Sequence, residues 1–70
     1  MRDLTQNDVI QLIKSLMQAE EVTQHIFAKN VGISEPFLSM ILSGQRQPTG
    51  RVLDYLGLRR VKTITYRRTP

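Results

Sequence analysis

The sequence predicts a small, mainly α domain of four to five helices that ends in a β-strand. Three observations predict it. As far as Leu56, apolar residues recur at helical spacing in short blocks, each opened by Thr or Ser and the last three closed by glycine. The two middle blocks, Gln24–Val31 and Glu35–Ser43, are separated only by Gly32, Ile33 and Ser34. Two helices joined by so short a glycine-containing link must meet at a sharp angle. From Val61 to Tyr66 the chain reads VKTITY, a β-branched and aromatic run that suits a strand.

Thr5 is placed to cap the first helix, with Asp8 three residues on as a weak form of the capping box. Val9, Ile10, Leu12, Ile13, Leu16 and Met17 form its core stripe, and the helix is expected from Gln6 to about Ala19. Glu20 and Glu21 suit the following turn better than a helix C-terminus, where the macrodipole disfavours acids. Helix 2 opens on Thr23, with Val22 and Phe27 at staple spacing and Phe27, Ala28 and Val31 inward. Gly32 ends it, where positive φ costs glycine nothing.

Helix 3 starts at Ser34 or Glu35, since Pro36 suits a first turn yet disfavours helical geometry in the residue before it. Leu38, Ile41 and Leu42 face the core, while Pro36, Ser39, Met40 and Ser43 form an uncharged stripe opposite. Phe37 either packs over the seam between helices 2 and 3 or joins Met40 in an apolar contact patch. After Gly44 and a polar loop, Thr49 caps a short helix through Leu56, with Val52, Leu53 and Leu56 inward. Gly57 stops it, and Leu58 closes over the core. The strand beyond pairs with a second copy across a two-fold axis, pairs with Arg2–Leu4, or is a disordered tail. The domain is expected over residues 1–58 and a basic arm over 59–70.

Seventy residues bury only about 60% of the surface of the unfolded chain, so a partner copy is a reasonable expectation. No cysteine is present, which excludes disulfides and thiolate metal sites and fits a reducing cytoplasm. No apolar run is long enough to span a bilayer, and the N-terminus has no signal-peptide core. The formal charge is +4, unevenly spread. Residues 1–43 hold three basic and five acidic groups, whereas residues 44–70 hold seven basic groups and one acid. Such a basic half either serves a polyanion or is a solvated tail.

Catalysis finds few candidate groups. His25 stands alone, without a neighbouring Ser and Asp pattern, and reads as a solvated surface residue. Glu20 and Glu21 are adjacent and so point to different sides of a helix, which suits no acid/base pair. No metal-ligand spacing or phosphate-cradling glycine loop occurs, and no cofactor or small-molecule ligand is expected.

Counting Gln24 as position one, small Ala28 is fifth, Gly32 ninth, Ile33 tenth, Leu38 fifteenth and Ile41 eighteenth. Over Thr23–Pro48, TQHIFAKNVGISEPFLSMILSGQRQP, the sequence resembles the helix-turn-helix family of phage lambda-type repressors and Cro proteins, the Xre family. The terminal strand resembles, more weakly, the Cro-type arm through which some members dimerise. The resemblance implies a lambda-repressor-like domain in a bacterial or phage-infected cytoplasm.

In such a domain helix 3 enters the major groove of double-stranded DNA. Glu35, Pro36, Ser39 and Met40 then occupy base-facing positions, with Ser34 at the helix start beside them. Gln24 meets a phosphate, and Ser43, the Gly44 and Gln45 amides, Gln45 and Arg46 hold the backbone beside the groove. Val61, Thr63, Ile64, Thr65 and Tyr66 would pair two copies. The expected function is a non-enzymatic, sequence-specific transcriptional regulator, a repressor that binds an inverted-repeat operator as a homodimer and blocks a promoter. Many members place Arg, Lys, Gln or Asn on the reading face, whereas this chain offers Glu, Pro, Ser and Met. That departure keeps a second expectation open, an antitoxin or anti-repressor that binds another protein on the same scaffold.

Overall fold

Thr5 caps the first helix as expected, and its partnership with Asp8 is a complete capping box. In the computed structural model, which describes residues 3–62 and 65–69, the Thr5 hydroxyl accepts the Asp8 amide at 3.2 Å. The Asp8 carboxylate accepts the Thr5 amide at 2.9 Å in return. Thr5→Ala is therefore expected to cost about 1 kcal/mol in urea unfolding; an unchanged midpoint would deny the box any part in stability.

Helix α1 spans Gln6–Glu20, α2 Gln24–Val31, α3 Glu35–Leu42 and α4 Gly50–Leu56. Strand β1 is Leu4–Thr5, β2 Leu58–Lys62 and β3 Thr65–Arg68. The molecule is thus mainly α, with four helices and a small antiparallel sheet among the described residues. No helix among them is long and apolar enough to cross a membrane.

The N-caps fall where the sequence puts them. The Thr23 hydroxyl accepts the Ile26 amide, and the Ser34 hydroxyl accepts the Phe37 amide. Ser34 is thereby the cap and Glu35 the first helical residue, which resolves the start of α3. Thr49 has cap geometry without a capping bond, and its hydroxyl is buried without a protein partner among the described residues. Glu20 departs from expectation by ending α1, with Glu21 left-handed at φ +55°. The Glu21 and Val22 amides bond back to the Gln18 and Met17 carbonyls, which satisfies orphan groups at the helix end. On an exposed surface the dipole penalty on two acids is too small to prevent this.

One hydrophobic core collects residues from all four helices and from β2 and β3. Val9 and Ile13 of α1 meet Phe27, Ala28 and Val31 of α2 and Leu38 and Ile41 of α3. Val52 and Leu53 of α4, then Leu58 and Tyr66, complete it, and Leu4 of β1 packs against its edge. Tyr55 meets Phe27 edge-on, with ring centroids 5.4 Å apart. Among the described residues no charged residue is buried, and the buried residues are apolar apart from the hydroxyl of Tyr66, while half-buried Thr49 and Thr65 also turn their hydroxyls inward.

The C-terminal segment corrects the single strand expected over Val61–Tyr66. It holds two strands, ordered β1-β3-β2, with β3 in the middle. Leu4 faces Tyr66 and Thr5 faces Thr65 on one side of β3. On the other side Leu58 faces Arg68, Arg59 faces Arg67 and Arg60 faces Tyr66, with a register shift before Lys62. The pairing is therefore the internal one with the N-terminal segment. Thr65 and Tyr66, expected to join two copies, lie on a strand whose two edges are both occupied, and Tyr66 is wholly buried. Thr63 and Ile64 lie outside the described residues, and Val61 remains exposed on β2.

Candidate nucleic-acid interface

The angle between α2 and α3 is set by three residues. Gly32 takes φ +93°, and its amide and that of Ile33 both bond to the Ala28 carbonyl. Ile33 packs against the core beside wholly buried Leu38, which holds the start of α3 down. A Cβ on Gly32 would stand 3.0 Å from Nη1 of Arg51. The guanidinium of α4 thus lies over the turn, near the C-terminal dipole of α2, where a cation is favoured. Sequence reasoning missed this contact, because nothing local links Arg51 to a glycine nineteen positions earlier.

The base-facing residues expected on α3 lie together on its exposed side. Ser34, Glu35, Pro36, Ser39 and Ser43 are exposed, and Met40 is half-buried. Gln24 is exposed at the start of α2. Phe37 is half-buried against the core, as packing over the seam requires, so it adds little to any apolar contact patch. His25 Nδ1 stands 3.8 Å from Glu35 Oε1, with both side chains at least half exposed. The histidine read as merely solvated therefore neighbours the one acid on this face. An exposed pair of this kind contributes little to stability.

The backbone after α3 corrects one expectation. The Gly44 amide bonds to the Ile41 carbonyl, and the Gln45 and Arg46 amides both bond to the Met40 carbonyl. The Gly44 and Gln45 amides, expected to hold phosphate, are used in closing the helix. The Ser43 hydroxyl likewise donates to the Met40 carbonyl at 3.0 Å. The side chains of Gln45 and Arg46 are both exposed. The loop is held in place by Gln6, whose Nε2 donates to the Arg46 carbonyl at 3.3 Å. Among the described residues Arg46 has no acidic partner.

Two other basic residues are more committed. Arg67 makes a two-nitrogen contact with Asp3 Oδ1, both at 2.8 Å. Arg60 Nη2 donates to the Pro48 carbonyl at 3.0 Å. The positive half of the chain is thus divided between structural clamps and free cations. No group of three or more potential metal ligands occurs among the described residues.

Comparisons with protein-family models, with curated proteins and with solved structures find no match to this chain. The surface of α3 and the loop beyond it therefore carry the functional reading unaided.

Proposed function

We propose that the chain is a sequence-specific DNA-binding transcriptional regulator, a repressor of the lambda-type helix-turn-helix kind. The observation that carries this reading is the exposed face of α3, held at a fixed angle to α2 by Gly32 and capped by Ser34. Glu35 and Pro36 project from its first turn and Ser39 from its middle, and Arg46 stands beyond its end without an acidic partner among the described residues. A short helix with its first turn exposed suits the major groove. Glu35 accepts from a cytosine amino group, Ser39 bonds either way, and Pro36 and Met40 touch thymine methyls. Gln24 and Arg46 meet phosphates on either side, which positions the helix without reading sequence.

With so few bidentate donors on the face, part of the discrimination rests on DNA shape. One copy of the chain sits on each half-site. Recovery of inverted repeats, with a dimer in sedimentation at micromolar concentration, would extend it to the homodimer expected from the sequence.

Selection of bound duplexes from a random pool tests the proposal. Ser39→Arg is expected to change which sequences are recovered. Arg46→Ala weakens all duplexes alike and lowers the log–log salt slope by about 0.9, the share of one phosphate contact. Equal affinity for selected and random DNA would sink the claim of specificity.

A further inference from the structure

β2 is an outer strand, and among the described residues no strand pairs with its far edge. Alternate N–H and C=O groups of Leu58–Lys62 therefore point away from β3, a template for another strand. A groove of about 350 Å³ lies between α4 and β2, walled by Gly50, Leu53 and Asp54 of α4, by Leu58, Arg59 and Arg60 of β2 and, past the end of β3, by Thr69. Leu53 and Leu58 are buried and give it an apolar floor. Gly50 leaves its wall open, with nothing within 4 Å of where a Cβ would stand.

The strand is also strongly basic. Arg59, Arg60 and Lys62 occupy three of its five positions, all exposed. Arg59 sits directly opposite Arg67, which Asp3 neutralises. Arg59 itself has no acidic partner among the described residues. With Arg67 compensated by Asp3, Arg59 is the cation of this cross-strand pair that is left for an outside anion.

A helix set beside an open strand edge is an arrangement that takes an extended peptide by strand addition. We infer that β2 and α4 together dock an extended acidic segment of a partner protein, added to the sheet as a fourth strand. Main-chain bonds pair it with β2, and its carboxylates meet Arg59 and Lys62. A small apolar side chain enters the groove over Leu53 and Leu58. Asp54 on the α4 wall repels acids there, which keeps the carboxylates on the β2 side.

A second copy fits the same edge poorly. Antiparallel self-pairing of Leu58–Lys62 would set arginines and lysine of one copy against those of the other. Duplex DNA answers the charge but supplies no strand hydrogen bonds to the open edge. The inference does not depend on DNA binding by α3.

Fluorescence anisotropy of the full chain with a capped eight-residue peptide, Glu alternating with Val and Thr, tests it at low salt. Saturable binding is expected. Replacing two central peptide residues by proline, or every Glu by Lys, is expected to weaken it about tenfold or more. Arg59→Glu or Lys62→Glu in the protein should do the same with circular dichroism unchanged, and the acidic peptide should slow amide exchange in β2. No binding, or equal binding of the proline peptide, would overturn strand addition. So would self-association lost in Arg59→Glu, which would assign the edge to a second copy. Loss of duplex affinity in Arg59→Glu without peptide binding would instead assign it to phosphate.

Discussion

Tyr66→Ala is expected to lower stability by about 3–5 kcal/mol, the range for removing a buried aromatic ring. Tyr66 is wholly buried and shares one core with all four helices. A chain of this length has only about 4–10 kcal/mol of stability in total, so the alanine variant stands close to unfolding at room temperature. Tyr66→Phe behaves differently. The phenol oxygen is buried without a protein partner among the described residues, and an unsatisfied buried hydroxyl costs about 1–3 kcal/mol. The phenylalanine variant is therefore expected to be neutral or more stable by up to about 1 kcal/mol.

Deleting residues 61–70 removes the same ring and the central strand. It should unfold the domain, rather than release a folded helical domain without its arm. Urea melts followed by circular dichroism check all three. A deletion variant with an unchanged midpoint would contradict the role of Tyr66 as core.

Gly32→Val is the second large effect, about 2–3 kcal/mol. A β-branched residue at φ +93° is strained by the collision of its Cβ with the following carbonyl. Gly44 makes the comparison informative, because it has φ +86° but open space around it. Gly44→Ala should show the backbone cost alone, about 1–2 kcal/mol. At Gly32 the new Cβ also displaces the Arg51 guanidinium. The cost of Gly32→Ala should accordingly fall by about 0.5 kcal/mol in an Arg51→Ala background. Strictly additive single and double variants would remove Arg51 from the account of this turn.

Much of the helical layer is legible in the sequence because its causes are local. Thr5, Thr23 and Ser34 cap within three residues of themselves, and Gly32 and Gly57 stop helices at their own positions. Stripes such as Val9 and Ile13, or Leu38 and Ile41, name the buried faces by spacing alone. The exposed side of α3 is legible for the same reason, as the complement of its buried stripe.

The sheet is not legible in this way. LRRVK and TYRR are so rich in arginine that no apolar alternation marks two strands. The Thr63 and Ile64 between them carry no turn residue, and they continue the β-branched run of VKTITY. Only the docking of Leu4–Thr5 onto Thr65–Tyr66 places Tyr66 in the core and leaves β2 outermost. The destinations of the arginines are equally hidden. Arg67 finds Asp3 sixty-four residues away, Arg60 finds the Pro48 carbonyl, and Arg51 covers Gly32. Caps, stops and stripes answer to neighbours along the chain, so residue order settles them. Strand partners and long charged side chains answer to neighbours in space, which exist only once the helices have packed.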